Sequence, residues 1–264
     1  MEILGFAGAI VIGATLGLIG AGGSILTVPI LVYFLSVDPV LATSYSLVVV
    51  GVTALAGSIT YMKKDLVSYK TAVIFAVPAF IAVFLTRKFL VPAIPQEIFA
   101  IGEFTLTKDI AVMLLFAVLM VLAAFSMIRK TKVEAQEGTQ EFNYPMILLE
   151  GFIVGVLTGM VGAGGGFLII PALVVLSRLP MKMAVGTSLL IIAAKSLLGF
   201  LGDLGQQNID WSFLAGFTAL TIAGIILGAY LARFVSGAKL KPAFGWFTLA
   251  MGVYIIGSEI YTNF

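Results

Sequence analysis

Two glycine-rich breaks interrupt apolar runs of bilayer-spanning length, and they restrict the possible folds more than any other feature. The first reads Gly20-Ala21-Gly22-Gly23-Ser24-Ile25-Leu26-Thr27-Val28-Pro29. The second reads Gly162-Ala163-Gly164-Gly165-Gly166-Phe167-Leu168-Ile169-Ile170-Pro171. A backbone broken inside the hydrocarbon layer frees N–H and C=O groups that lipid cannot satisfy, so a break persists only where protein covers it or a polar cavity meets it. Two breaks at matching places in two halves point to the substrate site of a transporter. Glycines can also serve close helix packing. The proline seven residues after Gly22 recurs seven residues after Gly164, however, and packing does not require that recurrence.

The breaks lie in a chain of 264 residues that is 61% hydrophobic and 11% charged, whereas a soluble domain carries about 25% charged residues. This is the composition of a polytopic membrane protein with the lipid bilayer as its solvent. The sequence contains no cysteine and no histidine. That removes disulfides, thiolate chemistry, the commonest metal ligand and the usual proton shuttle. No metal, cofactor or nucleic-acid partner is expected. Met1-Glu2-Ile3 lacks the basic region and cleavage site of a signal peptide and reads as the start of the first membrane element.

Residues 3–35 are too long for one straight span of about 20 residues. Two helical arms are expected, over 3–19 and 24–35, joined by the glycine turn. The second arm reaches about 18 Å at 1.5 Å per residue, short of a hydrocarbon core of about 30 Å. The pair should therefore dip in and return. Helices follow at 40–62, at 69–91 with a kink at Pro78, and at 107–130, with a loop over 92–105. A first membrane repeat, 1–130, is thus followed by a polar cytoplasmic linker, 131–144, and a second membrane repeat, 145–264. A shift of 142 residues aligns 13–47 on 155–189 with 13 of 35 positions identical, including Gly13/Gly155, Gly17/Gly159, Pro29/Pro171 and Ser46/Ser188. The second half then holds a hairpin over 146–177 and helices at 182–203, 211–233 and 240–262.

Charge placement orients the halves. With re-entrant hairpins each half crosses three times and the halves are inverted. One side then holds Lys63, Lys64, Lys70, Arg129, Lys130, Lys132, Arg178, Lys182, Arg233, Lys239 and Lys241, and the other only Arg87, Lys88 and Lys108. Hairpins that count as single broken spans would make the halves parallel and split the same residues six against eight. The expected fold is an all-α polytopic membrane protein of two inverted repeats, each a re-entrant, broken-helix hairpin plus three transmembrane helices. It should lie in the cytoplasmic (inner) membrane with both termini outside. Hairpin arms that cross fully would give the same parity.

Each glycine-rich copy is followed by a small-residue segment, Ala42-Thr43-Ser44-Tyr45-Ser46-Leu47 and Ala184-Val185-Gly186-Thr187-Ser188-Leu189. This duplicated pattern resembles the TauE/SafE family of membrane transporters over nearly the whole chain. Ser24 stands where the second copy has Gly166. The resemblance implies a secondary transporter for sulfite or organosulfonate anions, commonly an exporter.

Such an oxyanion needs hydrogen-bond donors and positive potential in a dry place, and a helix N-terminus supplies both. The candidate substrate-binding residues are Gly22, Gly23 and Ser24 at one turn, Gly164, Gly165 and Gly166 at the other, and the hydroxyls of Ser46, Thr187 and Ser188. The two turns are expected to point from opposite sides toward the midplane. Lys195 completes the set. It lies twelve residues beyond Met183, about 18 Å along a helix, with no acidic residue at i±3 or i±4. A lysine at the centre of a span costs about 2.5–3.5 kcal/mol on insertion scales. Its repeat mate is Thr53, so the fold's symmetry does not require the charge. An ion pair with a carboxylate on another helix is the alternative reading. Asp38, Asp203 and Asp210 fall at helix ends and read as solvated charges or caps. An intramembrane enzyme would need a nucleophile, a metal set or paired acids that the spans lack. An anion channel could use the same inverted hairpins, and saturable flux would separate the carrier from it.

Overall fold

The computed structural model describes residues 2–20, 22–101, 104–128, 144–162, 165–175, 179–205, 208–232, 234 and 237–263. The expected linker, 131–144, lies outside the described residues except for Tyr144, which instead opens a helix, and Arg129, Lys130, Arg178 and Arg233 also lie outside them.

Helix α1 (Glu2–Ile19) is followed at once by α2 (Gly22–Pro29), which runs on through a π-helical turn, Ile30–Phe34. Their contacts define a hairpin. A side chain on Gly5 would strike Leu35, one on Gly8 would meet Ile30, and Gly23 backs onto Ile12 and Leu16. As one arm advances the other retreats, and Leu35 ends up level with Gly5. Helix α3 (Pro39–Met62) follows, its first turn capped by Asp38, whose carboxylate accepts the N–H groups of Val40 and Leu41 at 3.0 and 3.1 Å. Helix α4 (Tyr69–Leu85) continues through a second π-helical turn, Thr86–Leu90, into the short α5 (Val91–Ala93).

The expected loop over 92–105 is replaced in part by an antiparallel hairpin, β1 (Glu97–Ile101) with β2 (Phe104–Thr107), in which Ile101 pairs with Phe104 and Ala100 with Thr105. The alternation Phe104-Thr105-Leu106-Thr107 is the period-two signal for this strand. Helix α6 (Lys108–Ile128) closes the first half. The second half repeats the order with α7 (Tyr144–Val161), α8 (Gly166–Val175), α9 (Met181–Phe200), α10 (Trp211–Leu231) and α11 (Gly237–Asn263).

The protein is an all-α polytopic membrane protein apart from that small hairpin. Among the described residues, five helices are long and apolar enough to cross a bilayer: α3, the span from α4 through α5, α6, α9 and α10. Large apolar side chains stand exposed at helical spacing, such as Val73, Val77, Ile81 and Leu85 on α4. A water-soluble fold would bury such a stripe, whereas lipid accepts it. Tyr69 and Trp211, exposed at helix starts, suit the interfacial belt.

Helices α3 and α9 are the innermost spans. They run antiparallel: Gly51 meets Leu197, Gly57 meets Leu189, and Gly186 meets Tyr61. Around them the contacts repeat with the 142-residue offset. Helix α1 packs on α10 through Gly13 against Thr221, and α7 packs on α4 through Gly155 against Ala79. Gly57 abuts Ile225 and Gly199 abuts Val83. Each hairpin thus rests on a helix of the other half. At these crossings backbone meets backbone: Gly224 and Gly228 approach Ile10 and Ala14 of α1, and Gly151 approaches Phe75 of α4. Small residues four apart permit the close approach that stabilises helix pairs in lipid.

Candidate functional site

Because the hairpins cross over, each glycine turn lies against the innermost helix of the opposite half. Gly20 packs on Val185 of α9, and Gly162 packs on Thr43 of α3. Thr43 and Val185 are themselves 142 residues apart. The backbone of both turns passes through positive φ, at +77° for Gly20, +67° for Gly162 and +65° for Gly165. L side chains rarely adopt this region. The glycines at these three places are therefore conformational requirements, unlike the packing glycines of the helix crossings.

The first turn is covered by protein. Gly22, Gly23 and Ser24 are all buried. A Cβ on Gly23 would meet the carbonyl oxygen of Ile12, so this glycine serves the close packing of the two hairpin arms. Ser188 is also at this turn. Its hydroxyl faces the carbonyls of Val185 at 2.8 Å and Gly20 at 3.4 Å. Thr187 faces elsewhere and accepts the N–H of Ser68 at 2.9 Å, tying down the loop between α3 and α4.

The second turn differs. Lys195 is wholly buried, and its Nζ donates to Thr158 Oγ1 at 2.8 Å. A side chain at Gly165 would collide with the methyl of Thr158 and come within 2.8 Å of the ammonium. Three N–H donors are available, and one finds a partner among the described residues. That partner is a hydroxyl and not the carboxylate considered from sequence. The carbonyl of Gly165 accepts the N–H groups of Leu168 and Ile169 at 3.0 and 3.1 Å and so starts α8. The amides of Gly166 and Phe167 precede the first helical bond and remain outside the ladder. Gly164 lies outside the described residues. Ser46, on α3 one turn beyond Thr43, is wholly buried, and its hydroxyl has no hydrogen-bond partner among the described residues. Its repeat mate Ser188 makes the corresponding contact at the first turn.

A second cation at this turn was missed from sequence. Arg87 was assigned to the outer rim, but it is 1% exposed. The span expected to end at 91 runs on to Ala93 through the π-helical turn Thr86–Leu90, which keeps Arg87 inside it. Single π-helical turns are frequent at functional sites. A side chain on Gly162 would collide with Nη2 of Arg87. Nε lies 3.7 Å from Oδ2 of Asp203, beyond hydrogen-bond length. Asp203 is 4% exposed, not a solvated cap. Asp210, by contrast, caps α10 by accepting from Ser212 and Phe213 at 3.0 Å each. The apolar run Phe89-Leu90-Val91 beyond Arg87 was the available signal that this arginine lies within a span.

Of the candidate residues that the structure describes, seven are placed by their contacts at one turn or the other. Gly22, Gly23, Ser24 and Ser188 belong to the first turn. Gly165, Gly166 and Lys195 belong to the second. Thr53, the mate of Lys195, shares a 2.6 Å hydrogen bond with Thr221 and stays neutral. The charge is thus concentrated at one turn.

Known proteins support the same class. A probable membrane transporter from Xylella fastidiosa (strain 9a5c) is 33% identical over 93% of this chain and 91% of its own length. The probable membrane transporter YunE of Bacillus subtilis is 28% identical over 84% of this chain and 85% of its own. A probable membrane transporter from Methanocaldococcus jannaschii, MJ0441, is 34% identical over 44% of this chain. No solved structure matches the chain. The family described as "Sulfite exporter TauE/SafE" matches residues 5–255, and this chain, with its paired glycine turns on crossed hairpins, is a membrane transporter of the TauE/SafE family.

Proposed function

We propose that the protein is a secondary carrier for a small sulfur-containing oxyanion, sulfite or an organosulfonate, and that the second glycine turn holds the anion. The observation that carries this reading is the buried ammonium of Lys195 beside Gly165, at the N-terminus of α8. In that place a charge desolvated by the span meets unladdered backbone amides. An anion docked there would gain charge-assisted hydrogen bonds, the positive end of a helix dipole and a glycine surface without a Cβ in the way. The family match supports a sulfur oxyanion as cargo and outward movement as the working direction.

Alternating access is the mechanism that the inverted halves suit. The antiparallel run of α3 and α9, which are repeat mates, supports inversion. The return of the first hairpin to the level of Gly5 supports a re-entrant element and three crossings per half. Rocking of one repeat against the other would open the turn to one side at a time.

The test is flux. Proteoliposomes loaded with sulfite or sulfoacetate should show saturable efflux. Lys195→Ala should lower affinity at least about tenfold, the loss of a charge-assisted bond, while leaving the protein monodisperse. Equal affinity of wild type and Lys195→Ala, measured by calorimetry in detergent, would remove the second turn from the site. Non-saturating, ohmic currents would replace the carrier with a channel.

A further inference from the structure

We propose that Arg87 is a second anion-binding residue at the second glycine turn, and that Asp203 is its resident counter-anion, which releases the guanidinium when substrate arrives. This rests on the reading of that turn as the anion site and adds to it a specificity residue and an internal competitor.

Arg87 carries five N–H donors in a planar fork. Its Nε, Nη1 and Nη2 are all buried without a hydrogen-bond partner among the described residues. The carboxylate of Asp203 neutralises the charge but does not engage the fork. It approaches Nε, at 3.7 Å, and its Oδ2 is likewise without a hydrogen-bond partner among the described residues. A pair built for stability would be bidentate and fully bonded, since burial of two ions is otherwise poorly repaid. Buried donors left open call for a further acceptor. The fork points at Gly162, and Gly162 and Gly165 bracket the turn that Lys195 flanks at its other end.

A guanidinium on one side and an ammonium on the other match an oxyanion with three acceptor oxygens. The fork grips two oxygens in one plane, and the ammonium takes the third. With Asp203 in place, the turn carries two positive charges and one negative. The resident carboxylate would then hold the empty site together and set the affinity low enough for release. The competing structural role would be capping of the carbonyl end of α7 by Arg87. That role leaves the guanidinium bonded to carbonyls, and among the described residues it is not.

The experiment is calorimetry with sulfoacetate, and with sulfite under nitrogen, on the full chain in detergent. Arg87→Gln should weaken binding about tenfold or more. Asp203→Asn keeps the shape but removes the competitor, and should tighten binding several-fold. The double variant R87Q/D203N buries no charge at this place and covers the case in which a single variant fails to fold. It should bind about tenfold or more weakly than wild type. Wild-type affinity in Arg87→Gln or in the double variant overturns the proposal. So does an Asp203→Asn variant that loses melting temperature with affinity unchanged. If Lys195→Ala alone weakens binding, this inference fails and the proposed site stands. If Lys195→Ala, Arg87→Gln and Asp203→Asn all bind as wild type, both fail.

Discussion

Lys195 gives up hydration for one hydroxyl partner among the described residues, Thr158, at the core of the molecule. Its charge is therefore a stability cost that the proposed binding function would explain. Lys195→Met keeps the length and removes the charge. It should raise the melting temperature in detergent, by an amount corresponding to about 1–3 kcal/mol, while abolishing measurable sulfoacetate binding. A fall in melting temperature with binding intact would mean that the ammonium serves the fold. Lys195 was legible in the sequence because hydropathy alone places it mid-span, far from both ends. Arg87 was not, because an arginine near the end of an apolar run ordinarily reaches the interface. The π-helical turn that keeps Arg87 inside packs against Gly159, Gly162 and Gly202, contacts between segments distant in sequence.

The glycines divide at the level of elements. Sequence reading treats Gly23 and Gly165 alike, as turn residues whose replacement by valine blocks transport in a folded protein. The structure separates them. A side chain on Gly23 strikes the carbonyl oxygen of Ile12 inside the hairpin, whereas Gly165 sits at φ +65° beside Lys195. Gly23→Val should split the hairpin arms and yield little monodisperse protein on size exclusion. Gly165→Ala should fold with a loss of about 1–2 kcal/mol from its left-handed backbone if the Thr158 side chain turns aside, and should bind sulfoacetate far more weakly because its methyl displaces Thr158 and the ammonium that Thr158 holds. Equal behaviour of the two variants would erase the distinction between packing glycine and site glycine. The hairpins and long helices were legible because each is a long apolar run bounded by Gly, Pro or Asp. The strands over 97–107 were not read, because four or five residues among prolines carry too little pattern to outweigh a loop.

For the whole molecule the question is which way the two halves face. Two independent features agree. The lysines and arginines of the sequence, counted by loop, favour one side by eleven to three if the halves are inverted, and burial of Arg87 lowers the smaller count further. In the structure the repeat mates α3 and α9 run antiparallel, as a two-fold axis in the membrane plane requires. The hydroxyl of Tyr33 donates to Glu259 Oε1 at 2.9 Å. That bond places the end of the first hairpin, level with Gly5, beside the last turns of α11. The described ends of the chain, Glu2 and Asn263, then lie on one face. Positively charged loops stay in the cytoplasm, so we propose a cytoplasmic linker with both ends outside. The chain has no native cysteine, so single cysteines report without background. A cysteine at Gly138 should be labelled by a membrane-impermeant maleimide only after the inner face is exposed, and one at Ser258 from intact cells. Labelling of both from the same side would leave an odd number of crossings between them unsupported, and would return the halves to the parallel arrangement with hairpins that count as single spans.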